Sequence, residues 1–223
     1  MKLNTLAKLT LIGLFYIYII KLIGTFHHGI LGPVAFVGII AGFNIIAGIA
    51  QFLFFIALYR YFISINRRKL QNAGILAIIG SAIGLLPKLS ALAVLLQHQS
   101  LFLLIRHVGQ IGAYCPWLSA LFLIAFCSIV LLDSDIRQNI DFKRAFTAGV
   151  AGWSIMFLAH SLVLINFLIA GRLVLMADLM GIGPFIFIMT STVTLVCLLV
   201  FYKAFIRADL LNQHNVVYGR EDS

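Results

Sequence analysis

Acid is what this chain has least of. Its 223 residues include sixteen Lys and Arg but only seven Asp and Glu. Those seven are Asp133, Asp135, Asp141, Asp178, Asp209, Glu221 and Asp222, so the first 132 residues hold no carboxylate side chain. General acid–base catalysis wants two positioned titratable groups, and these acids are too few and too peripheral to supply them. No H-E-x-x-H, G-x-S-x-G, Walker loop or pair of intramembrane aspartates occurs in the chain. Those enzyme classes are excluded.

Cysteine is equally sparse. Cys115, Cys127 and Cys197 fall inside apolar runs with no C-x-x-C spacing, and they read as small packing residues. Charged residues of either sign make up 10% of the chain, against 62% apolar residues and a mean hydropathy of +1.09. A soluble chain of this length needs far more polar surface to cover its core. The apolar runs are too long for barrel strands and do not alternate. Helices then satisfy the backbone in lipid. The expected fold is an all-α integral membrane bundle of six transmembrane helices.

The spans are expected at about 5–26, 32–59, 72–96, 102–132, 145–168 and 183–205, with a short polar tail over 207–223. Residues 133–144 form the dense charged stretch between two long apolar regions, and they must lie in water. The basic start and apolar 9–20 resemble a signal peptide, but no small-x-small cleavage pattern follows. The first segment is therefore read as a retained span, with Lys21 snorkelling outward. Pro87-Lys88 interrupts the third segment. Splitting it there would make seven spans and reverse the side of the 133–144 loop.

Lys and Arg counts decide between the two threadings. Six spans with the amino terminus inside put Lys2, Lys8, Arg60, Arg67, Arg68, Lys69, Arg137, Lys143, Arg144, Lys203, Arg207 and Arg220 on the inner side. Lys21, Lys88, Arg106 and Arg172 remain outside or within the membrane. Six spans, both termini cytoplasmic and a plasma-membrane location are the expectation. The net charge of +9 is spread over segment ends and forms no single patch, which argues against a nucleic-acid partner. The tail is too short for a kinase or cyclase output domain.

Helices already in lipid associate through close backbone approach and a few hydrogen bonds. Gly38 and Gly42, Gly80 and Gly84, and Ala145 and Gly149 have the spacing for this. They place the second, third and fifth spans at the packed centre, with Gly42→Leu expected to be more damaging than Leu14→Ala.

Polar side chains deep in a span are costly and point to function. Asn44 and Gln51 are two turns apart on one face of the second span. His160 lies near the middle of the fifth, and Thr190 and Thr194 near the middle of the sixth. Their depths agree, as in transporters with a midplane site. The competing reading is plain interhelical hydrogen bonding. Lys88 is a cation in the outer half of the third span, and Asp178 is the one acid near its level, so an ion pair is an option. Snorkelling is the alternative. His27, His28, His98 and His107 map to the outer side without a ligand motif, so no metal and no cofactor is assigned, and a haem or metal carrier is the least favoured reading. The leading expectation is a small transporter or permease-type component for an anionic or amphiphilic solute, binding through Asn44, Gln51, Lys88, His160, Thr190 and Thr194. The alternative is a non-transporting scaffold or accessory subunit of a larger membrane complex. The lipid bilayer, a small solute and a partner subunit are the partners these readings imply.

Overall fold

A computed structural model describes the backbone of residues 2–26, 33–97, 101–170 and 183–218. Side chains are described for 2–20, 22–23, 42–89, 114–134, 136–162, 164–165 and 188–207. Among the described residues there are seven helices: α1 (Leu3–Phe26), α2 (Pro33–Ser64), α3 (Arg68–Gln97), α4 (Leu101–Leu131), the short α5 (Ser134–Gln138), α6 (Ile140–Ala170) and α7 (Gly183–Tyr218). Six of them are long and apolar enough to cross a membrane, and α5 is the exception.

Local chemistry accounts for the helix ends. Pro33 opens α2 at the position where a missing N–H costs nothing. α2 gives way to α3 through Ile65-Asn66-Arg67, where Asn66 adopts φ 54°, a left-handed conformation that asparagine tolerates better than most residues. Its N–H donates to the Ile63 carbonyl at 2.9 Å. At the start of α6 the Asn139 side-chain oxygen accepts from the N–H groups of Asp141 (3.1 Å) and Phe142 (3.2 Å), a regular N-cap. Asp141 then sits in the first turn, where the helix dipole favours a negative charge.

Pro87 does not break the third span. α3 runs through it from Arg68 to Gln97, and α4 likewise runs through Pro116. A spanning helix must keep its backbone satisfied internally, and neighbouring turns and helices can absorb one lost bond. The third segment therefore counts as one of the six helices long and apolar enough to cross a membrane. The two charged turns consequently lie together: one Arg67 guanidinium nitrogen stands 3.4 Å from each carboxylate oxygen of Asp133. Arg67 is 42% exposed, so the pair marks geometry more than it adds stability. The polar tail also begins as helix, since α7 continues to Tyr218.

Each spanning helix packs on the one before it and the one after it, and α7 returns to α1, closing a ring. This corrects the expected trio at the centre. α6 packs on α4 and α7, and α2 packs on α1 and α3. Small residues work at the seams between neighbours. A Cβ on Gly13 would stand 2.6 Å from the Ala47 Cβ and 3.1 Å from its Cα. On Gly80 it would meet the Phe122 Cβ at 2.8 Å and the Ser119 carbonyl at 3.2 Å. Gly149 is covered by Cys127 and Phe201, and Gly152 by Cys197. Around Gly42, no described atom lies within 4 Å of that position.

The middle of the ring is filled by aromatic side chains towards its charged end. Phe54 and Phe55 from α2, Phe126 from α4, Phe146 from α6, and Phe201, Tyr202 and Phe205 from α7 are all buried. They meet edge to face: Phe54 with Tyr202 at 5.0 Å, Phe55 with Phe126 at 5.5 Å, and Phe146 with Phe201 at 5.5 Å between centroids. Such pairs contribute about 0.5–1.5 kcal/mol each beyond area burial, and the first two join helices that are not consecutive in the chain, α2 with α7 and α2 with α4. The buried Cys127 packs beside them in the same core.

Gly13→Ala is expected to destabilise the bundle by about 1–3 kcal/mol, because the obstacle is Ala47 backbone that cannot swing aside. Gly42→Ala should be close to neutral. Thermal-aggregation midpoints in detergent check this, with Gly80→Ala expected to follow Gly13→Ala.

Candidate functional site

The ring arrangement sorts the polar candidates into two groups. His160, Thr190 and Thr194 share one cavity of about 210 Å³ with Ser191, Tyr18 and Met156. Its walls come from α1, α6 and α7. α7 lies between the other two in the ring, so a cavity touching all three faces inward. The buried Leu198 and Ile17 also line it. His160, Thr190 and Thr194 are thus brought together.

Asn44 and Gln51 belong elsewhere. They flank Gly48 on one face of α2, and the Lys88 stem of α3 lies across that glycine. A Cβ there would be 3.0 Å from Lys88 Cδ and 3.1 Å from Nζ. Lys88 is half-buried. Its ammonium is therefore held at the α2–α3 seam beside the Asn44–Gln51 face, and the glycine makes the room. The expected single pocket of the second, fifth and sixth spans resolves into a cavity at α1–α6–α7 and a polar seam at α2–α3. Asp178 lies outside the described residues, as do the side chains of His27, His28, His98 and His107. Among the described residues no three His, Cys, Asp or Glu side chains are grouped to hold a metal ion.

Hydroxyls around the cavity are ordered by their proton count. Thr192 donates to the Ile188 carbonyl at 2.7 Å. A threonine has one proton to give, so in the 2.8 Å pair with Tyr18 it is the phenol that donates. This bond ties α1 to α7. On the other side of α6, Trp117 Nε1 donates to Ser161 Oγ at 3.0 Å, and Ser161 donates to the Phe157 carbonyl at 2.7 Å. That bond ties α4 to α6. Two inter-helix hydrogen bonds thus bracket the helices that carry His160 and the threonines. Tyr18, Ser191 and Thr192 did not figure among the expected site residues. Their signal was a tyrosine within the apolar first span and the unbroken Thr190-Ser191-Thr192 run.

A second, larger cleft of about 540 Å³ opens at the charged end. Arg67, Asp133 and Asn139 supply its polar groups, and Leu58, Phe62, Leu70, Phe142, Phe146 and Phe205 its apolar walls. Phe146 and Phe205 belong also to the aromatic layer. That layer therefore stands between the cleft and the His160 cavity.

Compared with known protein families, with curated proteins and with solved structures, the chain matches none. Function must then be argued from these two cavities and the layer between them.

Tyr18→Phe should cost between about 0.6 and 1.7 kcal/mol, the range for one inter-helix hydrogen bond in a membrane. Thr192→Val should cost somewhat more, because it also removes the Thr192–Ile188 bond, and the double variant should cost no more than Thr192→Val alone. Full additivity in unfolding measurements would show that the two hydroxyls do not interact.

Proposed function

We propose that the chain is a small transporter, or a transporter component, for an anionic or amphiphilic solute. In this reading the basic end and both termini lie in the cytoplasm of a cell bounded by its plasma membrane. The observation that carries it is the convergence of His160, Thr190 and Thr194 in a cavity inside the ring. Polar side chains gathered at one depth inside a ring of helices give a solute entering the cavity hydrogen-bonding groups at the midplane, where transporters hold their substrates.

Further features support the reading. The cleft at the basic end offers a guanidinium at Arg67 and apolar walls, which suit an amphiphile with a negative head. The aromatic layer separates the two compartments, as alternating access requires in any one state. Lys88 beside Asn44 and Gln51 adds a second cationic, hydrogen-bonding surface. Their roles as binding residues belong to this proposal.

The scaffold reading has one observation of its own. On the outside of α6, Thr147, Ala148 and Ala151 form a small-residue strip beside Lys143 and Arg144, where another helix could approach closely.

Vesicles reconstituted with the purified protein should take up members of an organic-anion panel. His160→Ala and Thr194→Val should each slow initial uptake by about tenfold, the effect of losing roughly 1.4 kcal/mol of solute interaction. Leu158→Ala, on the exposed face of α6, should leave it unchanged. No uptake above empty vesicles across the panel would overturn the transport reading. Crosslinking from Ala151 to a co-purifying helix would then favour the scaffold.

A further inference from the structure

One side of the bundle ends in a concentration of positive charge that neither cavity uses. Arg144 from the second turn of α6 and Lys203 and Arg207 from the end of the α7 span line one groove, floored by Val200 and Ala204. The groove has a volume of about 240 Å³. Asp141 is the one carboxylate among its lining residues, leaving three cations against one acid. All four charged side chains are exposed.

The face of α7 leading into this groove has a definite pattern. Met189, Val193, Val196 and Val200 are exposed and follow one another at intervals of four, three and four, which keeps them on one side of a helix. Continuing by three and four gives Lys203 and Arg207. A single stripe therefore runs apolar from Met189 to Val200, a length of about 16 Å at roughly 1.5 Å per residue, and then turns basic. That length matches one leaflet, half of a hydrocarbon core about 30 Å thick.

We propose that this stripe and groove bind an anionic phospholipid of the leaflet at the basic end. The acyl chain lies along Met189–Val200, and the phosphate sits among Arg144, Lys203 and Arg207. Charge complementarity selects the occupant. A guanidinium pairs with phosphate oxygens in a bidentate fork, and a lysine adds a point charge beside it. The Asp141 carboxylate accepts a hydrogen bond from a hydroxyl-bearing headgroup such as glycerol, so the acid becomes part of the recognition. Basic residues next to a span attract anionic lipid in general. This groove goes further by drawing its three cations from two helices around an apolar floor, so the lipid also bridges α6 and α7.

The test compares melting temperatures of the detergent-solubilised protein with added phosphatidylglycerol or phosphatidylcholine of the same acyl chains. Phosphatidylglycerol should raise the midpoint by about 5 °C, as expected for a ligand that binds only the folded state. Phosphatidylcholine should give less than half of that shift. Arg144→Gln combined with Arg207→Gln should remove the difference between the two lipids, whereas Arg60→Gln combined with Arg68→Gln, away from the groove, should keep it. If the double groove variant unfolds without lipid, Lys203→Gln alone serves, with a partial loss expected. Equal shifts from both lipids would overturn the proposal, as would a lipid preference that survives in the groove variants. Inorganic phosphate alone producing the full shift would make this a site for a free anion and would overturn it as well.

Discussion

In a bilayer, two apolar helices gain nothing by leaving lipid for each other, because the surroundings they exchange are equally oily. Shape has to do what hydrophobicity does in water. This chain solves the problem twice. At the seams it removes side chains, so that Gly13 lies against Ala47 and Gly80 against Phe122 and the Ser119 carbonyl. In the middle it does the opposite, filling the ring with interlocking rings from α2, α4, α6 and α7. The small residues set how near neighbours come, and the aromatic layer sets how wide the ring stays.

The polar features take their positions from that frame. Because the layer lies towards the basic end, it leaves the inward faces of α1, α6 and α7 unfilled beyond it, where His160, Thr190 and Thr194 stand. On its other side it forms part of the wall of the Arg67–Asp133 cleft. Hydrogen bonds from Tyr18 and Trp117 hold the helices around the first cavity in register. A bundle closed only by apolar packing would slide more easily, since dispersion contacts carry little directional preference.

Much of this architecture was legible beforehand because lipid imposes simple arithmetic. Each crossing needs about twenty apolar residues, so long runs count the spans. A rise of 1.5 Å per residue converts position into depth, which is why His160 and the two threonines could be matched. Pro87 was harder to read. Its usual effect is to end a helix, but a break inside lipid would leave backbone groups without partners, and the helix continues. The glycine spacing misled for a related reason. Gly42 and Gly80 sit in similar G-x-x-x-G patterns, but only Gly80 has described backbone and side chain packed tightly against it.

Composition and spacing alone determined that the chain is helical, with six helices long and apolar enough to cross a membrane. Those properties follow from the cost of bare backbone and charge in hydrocarbon, which acts on each segment separately. The tertiary structure decided which faces turn inward. It closed α7 onto α1, brought Tyr18 to Thr192, and sent Asn44 and Gln51 to a different seam from His160. Helix rotation depends on pairs such as Gly13 with Ala47, and no single segment contains both halves of such a pair.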